Sequence, residues 1–408
     1  MIRRAAARWP RSGGPLGTVR SGTFVAPILA VVGLLLVAIV TVNLLNGEVP
    51  FAARSGGNGN GGVIVGPNRT PAPSNVVIVE PEATFPGSIV YVKSGNVWVQ
   101  SGTNVRQLTE SGRDSMPSWS PDGRFIHYIE STSEDGLWLV NGSPRRFDLL
   151  YPSVMRVPAD GSGRPERLIS GRIERGRYNW FFWIRQPVLS PDGSRFAVVS
   201  DGPDPDKTDV VLQFFDPKTR KLTPAGVQQT PPLGHQDPAW RADGKRLLYV
   251  RNGRDGARGA PVIMRYDVAT KKVSPLTGPG YLHPAFSPDG RYVAATRTST
   301  FGTDVVVLDG GTGRELASIT NDGRSWAPVW SPMGDAIAFL NLEGQIVDLR
   351  MAGLQGPGPS WTVTRTTQLT EVSGLDPASK PGWFIPPDEL PVPLVPSPAA
   401  STPPSPGP

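Results

Sequence analysis

The amino-acid sequence predicts an all-β protein, a six-bladed β-propeller built from four-stranded blades. Three observations support this prediction. A Pro-x-aromatic element recurs along the chain, short apolar segments of strand length follow each copy, and the two ends of the array carry complementary parts of one blade. Four strands in a repeat of roughly 40 to 50 residues are typical of propeller blades, whose radial arrangement leaves few exposed sheet edges.

The repeated element starts with a proline and, in its best copies, ends in the turn sequence Ser-Pro-Asp-Gly. In such a turn Asp accepts hydrogen bonds and Gly adopts the required positive φ. A protein needs a catalytic residue only once, whereas it needs a turn in every blade. The repetition of these aspartates therefore indicates a structural role. The sixth copy has lost its Asp-Gly turn. The six copies begin at Pro117, Pro187, Pro238, Pro284, Pro328 and Pro381.

Each turn is followed by an apolar second strand, a third strand, and a fourth strand that ends in Leu-Thr or a similar pair. Runs of four to five β-branched and aromatic residues between turn residues are the usual sign of short strands. The second strands are predicted at residues 125–129, 196–199, 247–250, 292–295 and 336–339. The fourth strands end at Thr109, Ile169, Thr223, Thr277, Thr320 and Thr370.

The ends of the array decide the number of blades. Residues 88–109 supply strands two to four of a blade with no first strand before them, and residues 380–384 supply a first strand with no successors. Joining the two segments completes a blade and closes the ring with both ends of the repeat region. We therefore expect six blades.

The Pro-x-Trp-Ser-Pro-Asp-Gly repeat resembles the WD40-like propeller repeat of the TolB family. The resemblance covers about residues 88–384 and implies a six-bladed propeller; similar blades form the propellers of tricorn-type and prolyl-oligopeptidase-type peptidases. It says little about function, since one fold hosts many functions. Residues 46–86 do not resemble the small α/β domain of TolB, no Gly-x-Ser-x-Gly element is present, and no room for a hydrolase domain follows the sixth blade.

The composition fits many short strands and turns, with 47 Gly and 45 Pro in 408 residues. The absence of cysteine excludes disulfides, thiolate metal sites and a cysteine nucleophile. The formal net charge of +6 arises in residues 1–75, which carry seven arginines and one acid, so the remaining chain is neutral. Nucleic-acid binding needs a basic footprint on the folded domain, and we expect no nucleic-acid partner.

An uncharged apolar segment predicts that the protein is anchored in a membrane. Residues 24–42 would form about 30 Å of helix, the thickness of the hydrocarbon core. Five arginines precede this segment, so the positive-inside rule places the N-terminus inside and the remainder outside the cell. A cleaved signal peptide is the alternative, although its apolar region would be shorter. The predicted divisions are a cytoplasmic tail (1–22), an anchor (23–45), a Gly/Asn/Pro-rich linker (46–86), the propeller (87–385) and a proline-rich tail (386–408).

Two insertions, at residues 131–151 and 171–186, fall in the blade between the first and second repeat copies. The second insertion holds the densest aromatic and basic cluster of the chain, and such residues are the usual anchors of recognition surfaces. A protein or peptide interface, a platform for a small ligand such as a sugar, and plain packing on the neighbouring blade all remain open. The candidate residues in this cluster are Tyr178, Trp180, Phe182, Trp183 and Arg185.

The remaining candidates precede Pro-x-aromatic elements, on the face where loops between blades surround the channel. His235, Asp237 and His283 are chemically able to bind a metal, but the two histidines stand at different offsets from their prolines, three and one. Ordinary polar residues of the channel mouth are the simpler interpretation. Trp326 belongs to the same face. His127 lies within an apolar strand and is expected to be structural.

The sequence thus predicts a single-pass membrane protein that presents a propeller outside the cell as a protein- or ligand-binding module of the envelope. We assign no catalytic residues, metal or cofactor, because no catalytic set can be picked out of the repeated turns. The alternative is an exported propeller hydrolase or lyase that acts on envelope glycans or peptides.

Overall fold

The computed structural model describes residues 85–228, 234–252, 260–356 and 358–390. The predicted cytoplasmic tail, the anchor at residues 23–45, nearly all of the linker and most of the proline-rich tail lie outside the described residues. Within these four ranges no helix is long and apolar enough to cross a membrane. The predicted anchor and orientation therefore stay predictions.

The described residues form strands that are arranged in six sheets. The N-terminal blade contains β1 (Ser88–Lys93), β2 (Asn96–Ser101) and β3 (Asn104–Gln107). The second blade contains β4 (Asp114–Trp119), β5 (Phe125–Val140), β6 (Ser143–Pro158) and β7 (Glu166–Ser170), with the added strands β8 (Arg172–Arg175) and β9 (Tyr178–Phe181). The third contains β10 (Ile184–Leu189), β11 (Phe196–Ser200), β12 (Val211–Asp216) and β13 (Lys221–Pro224).

The remaining blades follow the same plan. The fourth contains β14 (His235–Trp240), β15 (Arg246–Arg251), β16 (Val262–Asp267) and β17 (Val273–Pro275). The fifth contains β18 (Tyr281–Phe286), β19 (Tyr292–Ser299), β20 (Gly302–Asp309) and β21 (Glu315–Ser318). The sixth contains β22 (Ser325–Trp330), β23 (Ala336–Glu343), β24 (Ile346–Gln355) and β25 (Thr362–Gln368), and β26 (Gly382–Phe384) is followed by a 3-10 turn at Pro387–Glu389.

The ring closes in the first blade, as the sequence predicts. Strand β26 pairs antiparallel with β1, so that Ile89 lies opposite Trp383 and the sheet order is β26-β1-β2-β3. The Trp383 indole donates a hydrogen bond to the carbonyl of Pro86 (2.9 Å). On the next blade, the ring of Trp119 stacks on Phe384 at 5.2 Å. The prediction of an all-β, six-bladed propeller is confirmed.

The hydrophobic core lies between neighbouring blades, so the second and third strands are buried on both faces. In β5, Ile126 and Tyr128 pack with residues of blade 1, whereas Ile129 packs with residues of blade 3. Successive side chains of a strand point to opposite faces, and both faces are covered here. This explains why these strands appear as continuous apolar runs in the sequence.

The motif residues make the contacts that their repetition suggests. In the turn of blade 2, the Ser120 hydroxyl donates to Asp122 (2.6 Å) and accepts from the Phe125 N–H (2.9 Å), while Gly123 has φ 68°. The threonine that ends a fourth strand accepts a hydrogen bond from the third strand, for example Thr109 from the Val97 N–H (2.8 Å). In these blades the motif residues thus stabilise the turn after the first strand and the pairing of the fourth strand with the third.

The tryptophan of the motif joins one blade to the preceding one. The Trp119 indole donates to the carbonyl of Gly382 (3.1 Å), and the Trp240 indole donates to the carbonyl of Val188 (3.0 Å). Both acceptors directly follow the motif proline of the preceding blade. In these two copies the Pro-x-Trp spacing links consecutive inner strands, whereas the buried Trp330 indole has no hydrogen-bond partner among the described residues.

Candidate functional site

A projecting arm distinguishes blade 2 from the other blades. Strands β5 and β6 are each 16 residues long, whereas the second strands of blades 3 to 6 have five to eight residues. The β8–β9 hairpin attaches to β5 where Leu137 lies opposite Asn179, and the Leu137 N–H donates to the Asn179 side chain (2.7 Å). We call residues 133–150 and 172–181 the arm. Both predicted insertions therefore build one structure.

A continuous row of aromatic rings crosses the arm and reaches blade 3. Trp180 lies 6.0 Å from Trp138 and 5.1 Å from Phe147, with both distances measured between ring centroids. Phe181 contacts Trp180 at 5.4 Å and Trp183 at 5.2 Å. The row ends at Trp183, whose side chain is 44% exposed. The aromatic residues of the two insertions thus support one another.

Phe182 and Arg185 differ from the rest of the predicted cluster. Phe182 is buried in the core between blades 2 and 3, and a side chain at Gly202 would collide with its ring. Arg185 lies half-buried in β10, opposite Val199. The predicted cluster therefore divides into residues of the arm and residues of the blade beneath it.

Arginines surround the aromatic row and the root of the arm. Arg172 forms a salt bridge with Glu134 of β5 (2.5 Å), which fixes the β8–β9 hairpin on β5, and a second one with Glu174 within β8. The guanidinium of Arg175 lies over the ring of Trp138 at 5.4 Å, and that of Arg177 lies over Tyr178. A cation over an aromatic face is favourable, and more so when water is excluded by a partner.

A cavity of about 280 Å³ opens along the β8–β9 hairpin and the adjoining parts of β5 and β6. Arg146, Arg172 and Arg177 line it together with Tyr178, Asn179 and two carboxylates, Asp135 and Glu174. Its walls therefore provide guanidinium, carboxylate, phenol and amide groups, which form hydrogen bonds with polar groups of a partner.

The register of the β5–β6 hairpin shows which backbone groups face outward. The two-residue turn at Asn141 and Gly142 makes Val140 and Ser143 a hydrogen-bonded pair. Hydrogen-bonded and non-hydrogen-bonded pairs alternate along an antiparallel hairpin, and the backbone N–H and C=O groups of the non-hydrogen-bonded pairs point away from the partner strand. On β5, the outward N–H of Leu137 donates a hydrogen bond to the side-chain oxygen of Asn179.

On β6 the outward positions run from Pro144 to Pro152. The carbonyl of Pro152 accepts the Gly171 N–H (2.7 Å), and β7 covers β6 only from Ser153 onward. Within the described ranges, the outward backbone groups of Arg146, Asp148 and Leu150 have no strand beside them. This open edge is bounded by prolines at both ends, and prolines restrict where another strand can pair.

A polar belt lines the centre of the ring, where the first strands of successive blades contact each other. Each of the first strands β4, β10, β14, β18 and β22 is bulged directly before its motif proline, and the residue there has a positive φ. Bulges re-aim side chains and are common at functional sites. These residues are Met116, Gln186, Asp237, His283 and Ala327, with φ between 50° and 54°.

Hydrogen bonds join the belt residues of adjacent blades. The Gln186 amide donates to Asp237 (2.6 Å) and accepts from the Asp237 N–H (2.8 Å). The second oxygen of Asp237 accepts the His283 N–H (3.1 Å) and lies 3.9 Å from the His283 Nε2. The Thr296 hydroxyl contacts the His283 Nδ1 and accepts the Ala327 N–H, both at 3.0 Å. The belt therefore connects blades 3 to 6.

Lys380, which precedes the sixth motif proline, crosses the same region. Its ammonium group donates to the carbonyl of Pro284 (2.6 Å), two blades away around the ring. Burial lowers the pKa of Lys380 to about 8, and it also lowers the pKa of His283, while the charge of Asp237 opposes both shifts. The belt thus has one carboxylate, one ammonium and one neutral imidazole, and the carboxylate is already hydrogen-bonded on both oxygens.

His235 does not reach the belt. It is 2% exposed, and its Nδ1 accepts a hydrogen bond from the Leu212 N–H (3.1 Å) of the third strand. In other blades a threonine hydroxyl accepts the hydrogen bond from the equivalent N–H. Burial, together with the charge of Arg251, lowers its pKa to about 4. His235 therefore takes a structural part in blade 3, apart from Asp237 and His283. Among the described residues no group of three or more His, Asp or Glu side chains is placed to hold a metal.

Trp326 lies in β22 next to the belt residue Ala327, and its indole donates to the carbonyl of Pro377 (3.0 Å). His127, expected to be structural, is buried and packs edge-to-face on Phe196 at 4.7 Å. The sequence interpretation missed Trp138 and Phe147 in the arm, which only the strand register brings to Trp180. Gln186 and Lys380 each directly precede a motif proline, and this shared position was the sequence signal that identifies them as residues of the belt region.

The closed ring of six four-stranded blades defines the protein as a β-propeller. No family model matches the chain. Its sequence is 28% identical over 240 residues to an uncharacterised protein of Agrobacterium fabrum, and the match covers 57% of this chain and 67% of that protein.

Three solved structures share the fold. TolB from Acinetobacter baumannii superposes with a TM-score of 0.52 and 19% identity over 74% of this chain and 67% of that chain. A putative TolB from Agrobacterium tumefaciens gives 0.50 and 17% over 74% and 95%. A chain of a nidogen/laminin complex gives 0.50 and 10% over 72% and 97%. The described part of the chain therefore has the six-bladed β-propeller fold that these structures share.

Proposed function

We propose that this protein is an extracytoplasmic binding module that captures a protein partner with the arm of blade 2, and that the N-terminal segment at residues 23–45 holds it at the membrane. The observation that carries the proposal is the aromatic row of the arm, which ends at the exposed Trp183 and is flanked by arginines. Aromatic and arginine side chains dominate the binding energy of protein interfaces.

The open edge of β6 supports a partner that contributes an extended segment. Backbone groups at Arg146, Asp148 and Leu150 are directed outward, and the side chain of Leu150 is 51% exposed. Main-chain pairing with such an edge provides affinity, and side-chain pockets provide specificity. Arg146 belongs to this strand and also lines the cavity at the β8–β9 hairpin, which provides hydrogen-bonding groups for a polar side chain of the partner.

One solved neighbour is a chain of a nidogen/laminin complex, which supports a role in protein binding. The belt does not favour the hydrolase or lyase alternative, because both oxygens of its carboxylate, Asp237, already accept hydrogen bonds from Gln186 and the His283 backbone.

Excising the β8–β9 hairpin tests the proposal with little damage to the blade. The Phe182 N–H donates to the carbonyl of Gly171 (2.8 Å), so the two ends of residues 172–181 already lie side by side. Crosslinking in intact cells followed by mass spectrometry would identify the partner of the unaltered chain. We expect the excised variant to lose this crosslink and to bind the purified partner at least about tenfold more weakly, since interface hot spots contribute 2 kcal/mol or more.

The matched control is Phe301→Ala. Phe301 is 92% exposed and lies between β19 and β20, the loop of blade 5 that corresponds to the tip of the arm. This variant should crosslink like the unaltered chain. Retained capture by the excised variant, or equal losses in both variants, would contradict the proposal.

A further inference from the structure

Two carboxylates stand directly opposite each other where blade 2 begins. Asp114, the first residue of β4, is paired with Glu130 of β5. Side chains of directly opposed residues lie on the same face of an antiparallel sheet, and like charges in such a pair are destabilising. Asp114 is only 3% exposed, so water does little to screen the repulsion.

The other four blades with this pair avoid the conflict. The equivalent first residues and their partners combine neutral or basic groups, and two carboxylates meet only in blade 2. These pairs are Ile184 with Ser200, His235 with Arg251, Tyr281 with Arg297, and Ser325 with Asn341. The acidic pair is therefore a departure of one blade from a shared plan.

Unpartnered oxygens surround the acidic pair on the same face. Ser153 of β6 lies directly opposite Glu130, and Tyr128 is two residues from Glu130 along β5. Both side chains are 0% exposed, and neither the Ser153 Oγ nor the Tyr128 hydroxyl has a hydrogen-bond partner among the described residues. One oxygen of Asp114 accepts from the Ser111 hydroxyl (2.6 Å), and the other has no partner there either.

The charges in this region reinforce the argument. Arg113, the neighbouring cation, has an exposed side chain, and its charge acts on Asp114 more weakly than that of Glu130. The pair is thus left with an uncompensated negative charge beside buried hydroxyl groups.

We propose that Asp114, Glu130 and Ser153 form a binding site for a hard divalent cation, with Ca²⁺ as the best fit. All available ligand atoms are oxygens, which Ca²⁺ prefers, and carbonyl groups or water complete its six to eight ligands. Two carboxylates make a weak site, with a Kd of about 0.1 to 1 mM, the range of extracellular modules. The inference does not depend on the function of the arm, although the arm begins immediately beyond these residues.

Calorimetric titration of the purified full-length chain in detergent, after treatment with a chelator, tests the site. Addition of CaCl₂ should give one binding event, and millimolar Ca²⁺ should raise the unfolding temperature. The Asp114→Asn variant should bind Ca²⁺ at least about tenfold more weakly and lose the rise, since ligand charge sets the affinity of such sites. The control Asp243→Asn changes an exposed turn carboxylate of blade 4 and should behave like the unaltered chain.

Two results would overturn the inference. The first is the absence of both binding heat and a temperature shift in the unaltered chain at millimolar Ca²⁺, which would mean that the acidic pair does not hold this cation. The second is undiminished Ca²⁺ affinity in Asp114→Asn. If that variant fails to fold, Ser153→Ala removes one buried hydroxyl and should still weaken Ca²⁺ binding measurably.

Discussion

Blade 5 and blade 2 show how one repeat serves two purposes. Blade 5 has strands of six, eight, eight and four residues, and Arg297 at its first pair is neutralised by Glu315 (2.6 Å). Within the described ranges, it contributes no buried side-chain atom that lacks a hydrogen-bond partner. Blade 2 contributes several, together with the acidic pair and the arm. The regular blade satisfies its buried polar groups, whereas the irregular blade leaves several unsatisfied in the region where binding is proposed.

The largest expected difference between the two blades is the loss of stability when a leucine is shortened to alanine. Leu308→Ala in β20 removes a fully buried side chain of blade 5, which should lower the free energy of unfolding by about 2 to 5 kcal/mol. Leu150→Ala in the arm removes a half-exposed side chain and should change stability by less than about 0.5 kcal/mol. Chemical denaturation of both variants measures the contrast. Comparable losses would show that the arm is part of the folding core.

A smaller effect is expected from pH, because blade 2 buries a histidine. Burial lowers the pKa of His127 from 6.5 to about 4 in the folded chain. Below pH 6.5 the His127 imidazole is therefore protonated in the unfolded chain but stays neutral in the folded chain. Its contribution to the free energy of unfolding is complete above this pH and is lost as the pH falls towards 4. Between about pH 7 and pH 5 the loss attributable to His127 should be on the order of 2 kcal/mol.

Thermal unfolding at the two pH values measures this loss, and His127→Leu removes the titrating group. The variant should lose part of the pH dependence, while the remainder belongs to His235, whose folded pKa is also about 4. Because the His127 Nδ1 has no partner among the described residues, the apolar replacement should cost little at neutral pH. An unchanged pH dependence would place the acid sensitivity elsewhere than in blade 2.

The smallest effect tests the regular plan itself. Blade 6 carries Met333 where blade 5 has Asp289, whose carboxylate accepts the serine hydroxyl of the turn. In blade 6 the Met333 N–H donates to the Ser331 hydroxyl instead (3.2 Å). Met333→Asn would restore a side-chain acceptor without adding a charge beside Asp335, and should stabilise the chain by about 0.5 kcal/mol. The midpoint of urea unfolding measures the gain. A loss of stability would mean that the turn of blade 6 does not follow the plan of blade 5.

The fold was predictable because it depends on local signals. Turn residues, strand length and the closing segments at residues 88–109 and 380–384 stand in the sequence itself, and ring closure follows from counting strands. The candidate site was predictable only in part. Trp180 and Trp183 were visible as a cluster, but Trp138 lies 42 residues before Trp180 and joins it only through the pairing of β9 with β5.

Register also explains the other omissions. Asp114 and Glu130 look like unrelated surface acids until the β4–β5 register places them opposite each other. His235 looked like a member of the channel mouth because of its position before a motif proline, but its ring turns inward to the Leu212 N–H. Such choices depend on the space left between two blades, which no single strand specifies.

The closure of the ring has a consequence for the order of events in folding. The Trp383 indole bonds to the Pro86 carbonyl across 297 residues of chain, and β1 receives its inner neighbour only from β26. During synthesis from the N-terminus, β1 emerges first and its inner partner last. Contacts of such long sequence separation slow folding, since the entropy of closing the loop must be overcome before the contact forms. The ring is therefore expected to close after the chain is complete, in a single late step that captures all six blades together.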